Sequence, residues 1–277
     1  MVASANFDEP LPPWAVLSTV HPWAIEQNRV TMAEANAKGK PLDFVLYGDS
    51  ITWYHVFKDK TSFNKYFGGY NALAMGIALD TVENLTYRMM TTEKPAQDPK
   101  NIVIMIGTNN RDMALIDQLV YRVEYLLLWV KRTFPTSNVV LAAVPPEKGA
   151  RGWVVKNQRY AALAAKLGIT FAKCGVNLDP NNPVVMPDGT HPSAAGYDVI
   201  LPCMARAVGL QPKPSPAIAA WRNLLRNTGW KRLADGKWVH DTYTCAIRKG
   251  RAACANVTFY NLGDNPDYKQ CIACVPK

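Results

Sequence analysis

Short, almost wholly apolar runs alternate with longer segments of mixed polarity up to about residue 209. Leu42–Tyr47, Asn71–Met75, Asn101–Ile106, Asn138–Val144 and Ile169–Ala172 are four to seven residues long and rich in aliphatic side chains. That length and composition suit strands buried on both faces. Between them the pattern changes to helical spacing. Trp23–Lys38 reads as a helix ended by Gly39 and Pro41. Asp80–Met90 carries Val82, Leu85 and Met89 at intervals of three and four. Ile116–Phe134 is a long amphipathic segment stopped by Pro135, Val155–Leu167 ends at Gly168 as C-cap, and Ser193–Val208 is a last helix. Strands alternating with helices predict an α/β fold, a parallel sheet covered on both faces. Right-handed crossovers then gather the loops that follow the strands along one edge.

The pattern changes again after residue 209. Lys213-Pro and Ser215-Pro mark a linker, placed at 210–220. Beyond it Trp221–Arg226 fits a helical turn or two. The remainder shows no helical period, and Trp230, Trp238, Tyr243, Phe259, Tyr260 and Tyr268 lie among short β-prone pieces. The expected organisation is a larger unit at 1–209 and a small β module at 221–277.

Charge and cysteines sharpen this division. The 277-residue chain has a formal charge of +9. From Leu210 onward 11 Lys/Arg face 4 acids, so the tail holds +7 and the rest +2. A basic, aromatic tail favours an anionic partner; an acylated anionic polysaccharide is expected there, and nucleic acid is not. Four of six cysteines (Cys245, Cys254, Cys271, Cys274) lie in the tail, which suggests disulfides and a secreted protein. Cys271-x-x-Cys274 with Cys245 and Cys254 leaves half of a zinc site as the alternative, at a spacing that zinc sites do not favour. Cys174 and Cys203 are a plausible core bridge, although connectivity stays open. Met1–Pro13, with Asp8, Glu9 and three prolines, shows no apolar leader region. No apolar run reaches the roughly 18 residues of a membrane span. The sequons at Asn84 and Asn256 decide little.

Three strand ends carry the chemistry. Tyr47-Gly-Asp-Ser50 puts a serine hydroxyl after a buried strand, with its N–H at a helix start, where negative charge is stabilised. Ile106-Gly-Thr-Asn109-Asn110 offers an amide donor to an oxyanion, or an ordinary turn that caps the next helix. In Asp188-Gly-Thr-His191, an acid three residues before a histidine can hold Nδ1–H and leave Nε2 free to take a proton. Each block alone is a common turn. His21, His55 and His240 have no ligand-like spacing, though His55, five residues past Ser50, could line the rim of a site.

Together and in this order, the three blocks resemble the SGNH (GDSL-type) hydrolase superfamily over roughly residues 20–208. The look is closest to platelet-activating-factor acetylhydrolase catalytic subunits and related acetyl esterases. Gly76-Ile-Ala-Leu-Asp80-Thr81, Arg88 eight residues past Asp80, and Gly107-Thr-Asn-Asn110 carry that likeness. Ala74 departs from it, standing where many members have Asn. The resemblance implies a three-layer αβα, flavodoxin-like fold with a five-stranded parallel sheet. It implies Ser50, Asp188 and His191 as catalytic residues. The Ser50 and Gly76 N–H groups and the Asn109 amide would form the oxyanion hole, with Asp49 and Asn110 in support. No cofactor or metal is needed.

The leading expectation is a serine esterase that removes a short acyl group, most readily acetyl, from a carbohydrate. A lipid acetylhydrolase is the alternative. A non-catalytic binding protein on an esterase fold is a third.

Overall fold

The computed structural model describes residues 10–57 and 60–214 and, as backbone, six short strands between 230 and 276. The chain divides into two compact units, Met1–Pro212 and Lys213–Lys277.

The first unit is built on five parallel strands: β1 (Phe44–Gly48), β2 (Ala72–Gly76), β3 (Asn101–Met105), β4 (Asn138–Ala142) and β5 (Thr170–Ala172), in spatial order β2-β1-β3-β4-β5. The helices are α1 (Pro22–Ala37), α2 (Ser50–Phe57), α3 (Lys60–Phe67), α4 (Val82–Thr91), α5 (Ile116–Thr133), α6 (Gly152–Leu167) and α7 (Ala194–Ala207). β1 and β3 are buried at every position, which explains their unbroken apolar runs. Successive strand residues still point to opposite faces. Val45, Tyr47, Ile102, Ile104, Val139 and Leu141 pack with α1, α4, α5 and α6. Phe44, Leu46, Val103, Met105, Val140 and Ala142 pack with α2, α3 and α7. The result is the expected αβα sandwich, with two cores separated by the sheet.

Element ends fall within a few residues of the sequence reading. Gly168 closes α6 with φ +64°, in the left-handed region where glycine avoids a Cβ penalty. Ser193 caps α7, its hydroxyl accepting from the Gly196 N–H. α3 was not foreseen; it rests on Phe67, stacked on Phe44 from β1 at 4.2 Å, and on Phe63, tilted against the same ring. A disulfide joins Cys174, just past β5, to Cys203 in α7.

The second unit contains a six-stranded antiparallel sheet: β6 (Trp230–Arg232), β7 (Trp238–His240), β8 (Tyr243–Arg248), β9 (Arg251–Cys254), β10 (Val257–Thr258) and β11 (Val275–Pro276), adjacent in chain order. The β8–β9 register sets Cys245 opposite Cys254. The helical turn expected at 221–226, the Cys271/Cys274 pair and the Asn256 sequon lie outside the described residues, as does the side chain of His55.

Candidate active site

Ser50 opens α2 immediately after β1. Asp49 caps that helix: its Oδ1 accepts from the Ile51 N–H at 3.0 Å, and its carbonyl accepts from the Trp53 N–H at 2.8 Å. The Ser50 N–H is therefore among the first-turn donors that have no acceptor within the helix. Asp49 is fully buried. Burial pushes its carboxyl up to about 6, while hydrogen bonds from the Ile51 N–H and Thr108 and the nearby charge of His191 limit the rise.

His191 and Asp188 come from the loop between β5 and α7. His191 Nε2 lies 2.9 Å from Ser50 Oγ, and its Nδ1 lies 2.6 Å from Asp188 Oδ2. Asp188 Oδ1 accepts from the backbone N–H groups of His191 (2.7 Å) and Thr190 (2.9 Å), which locks the turn. Burial alone would raise this carboxyl. The His191 backbone and side-chain hydrogen bonds, the Thr190 N–H and the His191 charge overcome that and bring it to about 2. Tyr54, one turn along α2 from Ser50, sets its ring 4.6 Å from the His191 ring.

Gly76 ends β2 opposite Gly48. Its backbone lies so close to α2 that an added Cβ would fall 2.2 Å from the Trp53 nitrogen and 2.7 Å from the Asp49 carbonyl oxygen. Only glycine allows that approach. Asn109 follows β3 across Gly107, whose φ of +115° and contact with the Tyr160 hydroxyl again exclude a side chain. The Asn109 amide donates to the Asp80 carbonyl at 2.9 Å, which uses one of its two N–H bonds. Asn110 does something the sequence did not suggest. Its Oδ1 accepts from the Val82 N–H at 3.1 Å and its amide donates to Glu83 at 3.0 Å, so it caps α4, not the helix that follows it.

Beneath these loops lies a buried charged network. The Arg88 guanidinium donates to Asp80 (2.7 Å), to Glu93 and to the Gly48 carbonyl (3.1 Å). Arg88, Asp80 and Glu93 are all fully buried. Burial raises both carboxyls, Asp80 up to about 6; Arg88 opposes the rise in each case. The sequence signals for this network are Arg88 three residues after Leu85, on the inward row of α4, and Asp80 just before that helix. Leu79, beside them, is exposed with φ +66°, a conformation costly for leucine; nothing in the sequence announced it.

The structure thus brings together Ser50, Asp188, His191, Asp49 and Asn109 along one edge of the sheet, with Gly76 against the same helix start. A hydroxyl bonded to an imidazole whose far nitrogen is held by a carboxylate can be deprotonated as it attacks a carbonyl carbon. This is the arrangement that serine ester hydrolases use, here on a three-layer fold. The chain belongs to the GDSL-like lipase/acylhydrolase family, whose model matches residues 46–199. It is similar to the platelet-activating factor acetylhydrolase IB subunit alpha2 of Homo sapiens and of Rattus norvegicus, 23% identical to each over 124 residues. That stretch is 45% of this chain and 52% of theirs, so the chain spans about half the length of the curated relatives it matches. In fold it resembles the crystal structure of a GDSL-like lipase from Bacteroides thetaiotaomicron, with a TM-score of 0.51 at 20% identity over 66% of this chain and 98% of the other.

Proposed function

We propose that Ser50 is the nucleophile, His191 its general base and Asp188 the group that orients and stabilises the imidazolium. The observation that carries this is the continuous series Ser50 Oγ–His191 Nε2 at 2.9 Å and His191 Nδ1–Asp188 Oδ2 at 2.6 Å. Ser50 Oγ adds to the ester carbonyl carbon as its proton passes to His191. The Ser50 and Gly76 N–H groups and the second N–H of Asn109 receive the oxyanion. The tetrahedral intermediate expels the alcohol with the proton from His191, and water hydrolyses the acyl-enzyme by the same steps. Asp49 and Asn110 support the two loops. Ser50→Ala tests the assignment: 4-nitrophenyl acetate turnover should fall by several orders of magnitude while the circular dichroism spectrum is retained, and a fluorophosphonate should label Ser50 alone. Unchanged turnover, or label on another serine, overturns it.

For substrate, the proposal is a short acyl group, acetyl, on a carbohydrate. Support comes from the aromatic side chains beside Ser50: Tyr54 over His191, Trp53 stacked on His21, and Trp23, 54% exposed, edge-on to Trp53. Such faces stack on sugar rings. The name of the mammalian relatives favours a second reading, a lipid acetyl ester. Acetate release from acetylated glycans compared with acetylated lysolipids decides between them. Residues 221–277, basic and cysteine-rich, are proposed as a module that recruits an anionic polymer, and the chain as secreted. The Cys174–Cys203 bridge is consistent with an oxidising compartment. Lys231→Glu with Arg232→Glu should then weaken turnover of an anionic acetylated polymer and spare 4-nitrophenyl acetate; equal effects on both would refute recruitment.

A further inference from the structure

A cavity of about 440 Å³ opens beside the loop that carries Asn109. Thr108 lines it on one side and the segment 147–153 on the other. It is tied to both halves of the active site. Lys156 Nζ donates to the Gly107 carbonyl at 2.7 Å, two residues before Asn109. The Lys148 N–H donates to the Gly189 carbonyl at 2.8 Å, inside the turn that holds Asp188 and His191.

Its lining is unevenly charged. Arg111, Lys148, Arg151 and Lys156 face one acid, Glu147. Glu147 is engaged by Arg111 at 2.6 Å. Among the described residues, no carboxylate lies within ion-pair distance of Lys148, Arg151 or Lys156. Lys156 is 4% exposed, and its Gly107 bond occupies one of three ammonium donors. A buried ammonium with spare donors is costly unless an anion meets it. Desolvation accordingly lowers its pKa, with Arg111 adding to the fall and Glu147 and Asp49 opposing it. The first turn of α6, at the same wall, adds the positive end of a helix dipole.

We propose that this cavity receives a carboxylate on the alcohol part of the substrate, so that the preferred ester is an acetylated uronic-acid residue. This rests on the carbohydrate reading above: with an acyl group as small as acetyl, a cavity of this size is left for the alcohol. Arg151 presents a planar fork suited to a carboxylate, and Lys148 and Lys156 supply point charges around it. The subsite is made by the 147–156 segment, outside the residues that perform the chemistry.

The test compares two soluble substrates of the same shape, a mono-O-acetyl methyl glucuronoside and the neutral mono-O-acetyl methyl glucoside, by acetate release. The wild type should show kcat/KM about 10-fold higher on the uronate, a preference that 0.5 M salt reduces. In Lys148→Gln/Arg151→Gln the uronate-to-glucoside ratio should fall to about 1. Both side chains are exposed, so the fold should tolerate the change, and the ratio within one preparation cancels the fraction of active enzyme. As a second measurement, free methyl glucuronoside should inhibit 4-nitrophenyl acetate hydrolysis about 10-fold more strongly than methyl glucoside. A ratio near 1 in the wild type, or a preference that survives in the double variant, overturns the inference. Turnover of 4-nitrophenyl acetate but of neither sugar would instead overturn the carbohydrate reading, so the two failures are distinguishable.

Discussion

Replacing Cys174 and Cys203 together by alanine opens the one disulfide among the described residues, and its consequence can be worked from the chain. The bridge closes a loop of 29 residues that contains both Asp188 and His191. Loop-closure entropy for that length gives about 3.5 kcal/mol of stabilisation through the unfolded state. The unit Met1–Pro212 has an unfolding entropy of roughly 0.44 kcal/mol per kelvin, so Tm should fall by roughly 8 °C. The folded loop keeps other tethers. The Lys148 N–H donates to the Gly189 carbonyl at 2.8 Å, the Tyr197 hydroxyl to the Ile51 carbonyl at 2.8 Å, and Lys65 pairs with Asp198 at 2.8 Å. Turnover of 4-nitrophenyl acetate at 25 °C should therefore stay within about 3-fold of the wild type, while the temperature of inactivation drops with Tm. Scanning calorimetry and residual activity after heating measure both. The variant, unlike a reductant, acts on this bridge alone. A Tm change under about 2 °C would refute the loop argument. A large loss of turnover in protein still folded at 25 °C would show instead that the bridge itself sets the position of His191.

Three further outcomes are expected. Asn109→Ala should lower kcat roughly 10²–10³-fold with little change in KM, by steady-state kinetics; an effect on KM alone would make it a substrate-binding group. Asp49, held up at about 6 by burial, keeps its proton in the folded chain through a window in which the unfolded chain has lost it. Its contribution is thus full below about pH 4 and lost as pH rises through 6, so Asp49→Asn should gain about 3 kcal/mol relative to wild type between pH 4 and 7.5 in urea melts; parallel pH profiles would refute this. Arg88→Met, which leaves Asp80 and Glu93 without their counter-charge, should cost about 3–5 kcal/mol in the same melts, and a cost under 1 kcal/mol would mean that both acids are already neutral.

The sheet was legible because its central strands are buried on both faces and so read as unbroken apolar runs, each followed by Gly, Pro or Asn. α3 was not, because its eight residues include Thr61, Ser62 and Asn64, poor helix formers, and only Phe63 and Phe67 mark its buried side. The local half of the site, Asp188 with His191, follows from a spacing of three. Its other half, Ser50, is 141 residues away from His191, and only the α/β connectivity brings it to the same edge. Lys156 carries a readable signal. It sits four residues before Tyr160 and seven before Leu163 on α6, in line with buried apolar positions, where a lysine needs a reason.

What sequence periodicity could not supply is the means by which three separate loops are held in register. Apolar packing sets the strands to within a side chain's width, but the oxyanion donor proposed at Asn109 must be placed far more closely than that. Here the placement runs through polar atoms that are buried. Arg88 grips the Gly48 carbonyl, two residues before Ser50, and the Asp80 carboxylate; the carbonyl of that same Asp80 grips the Asn109 amide. One guanidinium is thus coupled in a single step to the strand end that presents Ser50 and in two steps to Asn109. Asn110 closes the circuit by capping α4, the helix on which Arg88 is carried. Such a network contributes little net stability, since the desolvation of its charges offsets most of their attraction. Its value lies in geometry: each bond has a direction, whereas apolar contact has none. That is why the family likeness rests on polar residues, Asp80, Asn109 and Asn110 in loops and Arg88 on α4, and why hydrophobic pattern alone predicted the sandwich but not the shape of the edge that carries Ser50 and His191.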